Sequence, residues 1–193
     1  MKLLFATNNP NKVEEIRRLL NDQFELFTLS DVGWEGDIEE TGTTIEENAV
    51  IKSRAVADKF SMSCFSDDSG LEVEALNGAP GVNSARYADK ENPSPQKNMI
   101  KLLEALEGKD NRRARFKTVI ALIVEDRVHQ FEGIINGTIT KERRGKGGFG
   151  YDPIFQPEGY DVTFAEMPLE EKNQISHRRL AFEKLCNFLL MQC

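Results

Sequence analysis

Long apolar runs are missing from this sequence. No stretch approaches the length that spans a bilayer, and the opening MKLLFATNNP breaks its apolar run with polar residues too soon for a secretory core. Cysteine is scarce: Cys64, Cys186 and Cys193 are odd in number and widely spaced, without the CxxC pair of a zinc site or redox centre, so a reducing, cytoplasmic setting is expected. Only two histidines are present, and His177 has no second His, Cys or spaced carboxylate nearby to complete a zinc site. Positive charge is in deficit, with 25 Lys and Arg against 32 Asp and Glu and a net charge of -7. An acidic surface gains nothing from a polyanion, so neither polymeric nucleic acid nor a membrane surface is expected as a partner, and a phosphate ligand must be gripped locally. Also absent are the Gly-x-x-x-x-Gly-Lys-Ser/Thr phosphate loop, the Gly-x-Ser-x-Gly nucleophile elbow and His-Glu-x-x-His, which removes the common NTPase and hydrolase classes.

What remains is ordinary globular material, 193 residues with 39% apolar and 30% charged side chains and no low-complexity tract, internal repeat or linker. One domain over residues 1–193 is the expected organisation. Lys2 to Ala6 reads as a buried strand, followed by a helix whose apolar face is Val13, Ile16, Leu19 and Leu20 and whose start is marked by Asn9 and Pro10. Phe24 to Leu29 reads as a second strand and the acidic stretch Glu35 to Gly42 as loop. Thr44-x-x-Glu47 has the form of a capping box and predicts a helix to Phe60, with Asn48 and Lys52 on one face. Cys64 to Ser66 reads as a strand that ends in the Asp67-Asp68-Ser69-Gly70 turn. Pro95 to Leu106 predicts a helix with Ile100, Leu103 and Leu106 in register. Three β-rich runs, Phe116 to Val124, Val128 to Glu132 and Ile134 to Thr140, suggest an antiparallel meander. A closing helix carries Phe182, Leu185, Cys186 and Leu189.

Four groups of residues carry chemistry. Thr7, Asn9 and Lys12 lie in a strand-to-helix loop, where backbone donors, a hydroxyl, an amide and an ammonium suit phosphate oxygens; alone, the same residues also serve as an Asn-Pro helix cap. Glu39, Glu40, Asp67 and Asp68 supply hard oxygens of the kind magnesium prefers, although an acidic surface loop and a polar turn read the same way. Two adjacent aspartates project differently, so one can bind metal or take a proton from water while the other is held by backbone donors. Gly145 to Asp152 fits Gly-x-Gly-x-x-Gly, yet no helix follows, so the dinucleotide reading is rejected in favour of a rigid loop presenting Phe149 as a stacking platform with Asp152 beside it. Glu171 to Arg178 gathers donors for keto oxygens or phosphates at the start of the last helix.

Taken in order, Thr7-x-Asn9-x-x-Lys12, Glu39 with Glu40-Thr41-Gly42, Glu47-Asn48-Ala49 with Lys52, and Ser66-Asp67-Asp68-Ser69-Gly70-Leu71 resemble the Ham1-like inosine triphosphate pyrophosphatase family. So do Gly78-Ala79-Pro80-Gly81, Ser84-Ala85-Arg86-Tyr87, Gly147 to Pro153, and Ser176-His177-Arg178. The resemblance implies an α/β chain with an elongated two-lobed fold, a central mixed β-sheet with flanking helices, an active-site cleft between the lobes, and a homodimer. It implies hydrolysis of non-canonical purine nucleoside triphosphates (ITP, dITP, XTP) to monophosphate and pyrophosphate with Mg2+. Carried over by position, the loop Thr7, Asn8, Asn9, Pro10, Asn11 and Lys12, with Lys52 and Lys172, holds the triphosphate. Glu39 and Asp68 bind magnesium, Asp68 is the base, Asp67 supports it, and Ser69 touches substrate. Phe149, followed by Gly150 and Tyr151 in the same substrate loop, stacks on the base, while Asp152, His177 and Arg178 read its edge. Two positions depart from the family: Asn8 replaces a glycine and Asn83 an aromatic residue, and Asn8 keeps the loop feasible because Asn tolerates left-handed backbone. A pyrimidine-preferring pyrophosphatase and a non-catalytic nucleotide sensor are the alternatives.

Overall fold

The computed structural model describes residues 2–19 and 24–191. Leu20 and Cys193, named above, lie outside the described residues. The elements in chain order are β1 (Lys2–Phe5), α1 (Pro10–Leu19), β2 (Glu25–Thr28), α2 (Ile45–Phe60), β3 (Cys64–Val73), β4 (Pro80–Gly81), α3 (Pro95–Ala105), β5 (Arg113–Val124), β6 (Arg127–Ile139), β7 (Phe155–Pro157), α4 (Leu169–Ile175) and α5 (His177–Met191). The strands form one mixed, open sheet in the order β2-β1-β3-β5-β6-β7, with the short β4 pairing β3 off this path. β1 is parallel to both β2 and β3, whereas β4 and β7 are antiparallel to their partners. Among the described residues no helix is long and apolar enough to cross a membrane.

Local chemistry explains several boundaries. Asn9 Oδ1 accepts from the Lys12 N–H, and Pro10 opens α1. Thr44 Oγ1 accepts from the Glu47 N–H while Glu47 reaches back to the Thr44 N–H, the reciprocal capping box read from the sequence. Elsewhere the fold departs from the sequence reading. β3 does not end at the aspartates but runs through them to Val73, because ladder pairing with its neighbours overrides the turn composition of Asp67-Asp68-Ser69-Gly70. The second and third β-rich runs are one strand, β6, which passes straight through Gly133. Glu125 and Asp126, at φ 49° and 60°, supply the two left-handed residues that a two-residue hairpin needs between β5 and β6. On α3, Ile100 faces outward, and the buried positions are Asn98, Met99 and Leu102. Ser176, with extended ψ, separates α4 from α5 and caps the latter by accepting from the Arg179 N–H, so the closing segment is two helices rather than one.

The chain falls into two compact units. The first contains the chain through Asp68, Thr118–Glu132 and the residues from Leu180 onward. Alternation along its strands sorts side chains to two layers. Leu3, Phe5, Phe65, Ile120 and Leu122 pack with Ile16 of α1 and Phe182 and Leu185 of α5, while Leu4, Ala6, Cys64 and Ile123 pack with Val56 and Ala57 of α2. The second unit, Ser69–Lys117 and Gly133–Arg179, has its own core built on Leu71, Val73, Met99, Leu102, Phe155 and Phe164.

Cys64 is fully buried in the α2 layer, and burial pushes its thiol pKa up to about 12. The thiolate is the reactive form, so alkylation of native protein at pH 8 is expected to leave Cys64 unmodified, with labelling only after denaturation, as checked by peptide mass mapping.

Candidate active site

Adjacent residues on a strand point to opposite faces, and β3 uses this to split Asp67 from Asp68. Asp67 takes the α1 side, where its fully buried carboxylate meets the Lys12 ammonium at 2.7 Å. Asp68 takes the α2 side, 3.0 Å from Lys52, whose ammonium also touches Glu40 at 2.5 Å. The acidic loop reaches this point because Asn48, buried one turn before Lys52 on α2, accepts from the Gly42 N–H. A side chain at 42 would collide with Asn48 and Glu47, so only glycine fits that approach. The shared face of Asn48 and Lys52 thus ties down the loop by one residue and gathers its carboxylate with the other.

The electrostatics follow from this crowding. Burial pushes the Asp68 carboxyl above the ordinary aspartate value, with Glu40 and Asp67 pushing the same way and Lys52 pulling back. Burial works against the Lys52 ammonium, but Asp68, Asp67 and Glu40 outweigh it and hold its pKa above the usual lysine value. Glu39 is exposed; Glu40, not Glu39, is the loop residue that meets Lys52. Among the described residues no group of three or more His, Cys, Asp or Glu side chains is gathered as a ready metal cage.

Thr7, Asn8 and Asn9 form the turn into α1, where Thr7 Oγ1 accepts from the Asn9 N–H. Asn8 donates to Gly36 O and Asp37 Oδ1, fastening this turn to the acidic loop, and its backbone stays out of the left-handed region. Pro10 and Asn11 begin the helix, whose first turn carries no acidic residue to repel an anion.

A separate cluster lies in the second unit. Phe149 is 66% exposed at the tip of the glycine loop. Beneath it Asp152 accepts from the Phe149 N–H at 2.7 Å and pairs with the buried Lys172 ammonium at 2.5 Å. Gly148, at φ 71°, leaves room for that carboxylate, which any Cβ there would strike. The Lys172 ammonium lies 4.7 Å from the Phe149 ring centre and 5.3 Å from that of Phe164, so it sits beside the ring expected to stack on the base. Tyr151 is buried with its hydroxyl on Ser84 O, an anchor for the loop, and Gly150 takes φ 60°. His177 is buried at the start of α5, and Arg178 follows it, half-buried. Ser69, half-buried, comes directly after Asp68 on β3.

Residues 3–188 match the profile of the Ham1 family. The chain belongs to the Ham1 family. It is 53% identical over 189 residues to a dITP/XTP pyrophosphatase of Christiangramia forsetii, covering 98% of this chain and 99% of that one. It is 54% identical over 190 residues to a dITP/XTP pyrophosphatase of Porphyromonas gingivalis, covering 98% and 97%. The Staphylococcus aureus Ham1 protein superposes with a TM-score of 0.95 at 41% identity over 100% of both chains, and a HAM1 protein from Coxiella burnetii with 0.94 at 41% over 99% of both. The mixed sheet and its flanking helices are therefore those of Ham1 structures.

Within this Ham1 chain Glu40 and Asn48 stand out in the sequence as residue types, but their contacts with Lys52 and Gly42 emerge only in the fold. The signal was present in the four-residue spacing of Asn48 and Lys52, which puts a buried amide and a cation on the face that must meet the preceding loop. The rings of Phe116 and Phe164 carried no such signal, since nothing local says which side chains they touch.

Proposed function

We propose that the protein hydrolyses dITP, ITP and XTP between the α and β phosphates, releasing the monophosphate and pyrophosphate and so clearing non-canonical purines from the nucleotide pool. The observation that carries this reading is the full-length identity with dITP/XTP pyrophosphatases in a chain that also gathers Asp68, Lys52 and Glu40 at one point.

The first cluster is assigned the triphosphate. An ammonium has three donors, so Lys12 and Lys52, already steered by Asp67 and by Asp68 with Glu40, still have protons for phosphate oxygens. The N–H groups that open α1, with the side chains of Thr7 and Asn9, add further donors. Asp68 takes a proton from the attacking water, the water oxygen bonds the α phosphorus, and pyrophosphate departs with its charge balanced by the lysines. No covalent intermediate is needed, because positioning and fixed charge supply the rate. The carboxylates fit magnesium, a hard cation satisfied by one or two carboxylates plus phosphates and water. Asp68 and Glu39 would hold it, leaving Glu40 to Lys52, and its chemistry when bound is to neutralise phosphate oxygens.

The second cluster is assigned the base. Phe149 offers the ring face, Asp152 and Lys172 brace it, and His177 and Arg178 donate to a 6-keto oxygen. Adenine offers an amino group there, and each buried donor left unmatched costs about 1–3 kcal/mol, roughly tenfold to a hundredfold in selectivity. We further propose a homodimer in the cytoplasm, a setting consistent with Cys64 and Cys186 being free thiols.

Product analysis with ITP, dITP, XTP, GTP, ATP, dTTP and UTP tests the reading. IMP, dIMP and XMP with pyrophosphate are expected, dependent on magnesium and far faster than AMP from ATP. Equal turnover of dTTP or UTP would indicate a pyrimidine enzyme, and nucleotide binding without product a sensor.

A further inference from the structure

Phe116, in the first half of β5, is half-buried at the centre of an aromatic group in the second unit. Its ring stacks on the His177 imidazole with centres 4.9 Å apart and planes within 11°. It also meets Phe155 at 4.6 Å and lies nearly parallel to Phe164 at 6.1 Å and 23°. Phe164 in turn lies 5.3 Å from the Lys172 ammonium, which is 4.7 Å from Phe149. One column therefore runs His177, Phe116, Phe164, Lys172, Phe149, and its ends are the residues assigned above to the edge and the face of the base.

We infer that Phe116 is a positioning residue for base recognition: its ring sets the plane of the His177 imidazole, and with it the direction of the ring N–H that meets the 6-keto oxygen. This rests on the reading of His177 proposed above. The outer torsion of histidine is broad, so covalent geometry leaves the ring plane open. The start of α5 fixes the His177 backbone, and the flat face of Phe116 restrains the plane of the ring. An aliphatic side chain would fill similar volume without offering a face to stack on. Of the aromatic contacts, this near-parallel one is the contact that constrains rotation of the imidazole, whereas Phe155 and Phe164 hold Phe116 itself.

The test compares F116L, F116Y and H177Q by kcat and KM for dITP and dATP, and by the His177 ring-proton resonances in isotope-labelled protein. F116L is expected to raise KM for dITP with kcat little changed, and to narrow the dITP to dATP ratio of kcat/KM by roughly tenfold, the scale of one aromatic pair. The His177 resonances should move downfield as the ring current is lost, while F116Y retains all wild-type values. If F116L does not fold, F116M, which keeps flexible apolar volume without a ring, is read in the same way. Unmoved His177 resonances, or selectivity lost in H177Q yet intact in the Leu variant, would overturn the role of Phe116. Selectivity that survives H177Q would instead overturn the assignment of His177 itself.

Discussion

Asp68→Asn is expected to slow pyrophosphate release from dITP by about 10²- to 10⁴-fold, the usual contribution of a positioned general base, while the protein stays folded. The carboxylate is lost but the volume is kept. Lys52 retains Glu40, so its ammonium is not stranded. Burial already disfavours the Asp68 charge, so a neutral amide there carries no large folding penalty. Pyrophosphate measured by coupled inorganic pyrophosphatase, beside a thermal melt, checks both halves. Wild-type turnover in the Asn variant would remove Asp68 from the chemistry, and a collapsed melt would show that its role is architectural. The Asp67→Asn change is a useful contrast, because Asp67 is fully buried against Lys12 on the other side of β3.

The largest effect on stability is expected at the second cluster. Lys172→Met leaves the buried Asp152 carboxylate without its cation, and breaking a buried ion pair costs about 3–5 kcal/mol. For a chain of this size each kcal/mol moves Tm by about 2–4 °C, so a fall of roughly 6–20 °C is expected. Adding Asp152→Asn should recover a good part of that loss, since the stranded charge is then gone while an amide oxygen can still accept from the Phe149 N–H. A double-mutant cycle by calorimetry measures the coupling. Additive losses would mean that the pair is not the source of stability. Activity should not recover in the double variant, because the ammonium that braces Phe149 is missing.

Sequence and structure agree best where the physics is local. The Thr44 box sets the start of α2 through bonds three residues apart, and Asn9 with Pro10 does the same for α1. They part where distant chain decides. Asp67 to Gly70 has the composition of a turn, but flanking strands draw it into β3. Gly133 looks like a break, yet sheet pairing carries β6 through it. Leu103 and Leu106 meet the core as their helical period suggests, but Ile100 of the same period faces solvent and Met99 and Leu102 take the buried positions. The site divides in the same way. Its lysines and aspartates were legible as residue types, whereas the choice of Glu40 over Glu39 for Lys52, twelve residues on, depends on how Gly42 meets Asn48, six residues on.

The opposed aspartates of β3 have a consequence for assembly. Because side chains alternate, sliding this strand by a single residue would hand each carboxylate to the wrong helix and drive Cys64 and Phe65 into each other's layers. Two ion pairs and two apolar layers would fail together. The aim of the Asp68 carboxylate is therefore guaranteed by the same alignment that closes the core, so a chain that misaligns this strand is expected to lose the fold and this geometry together.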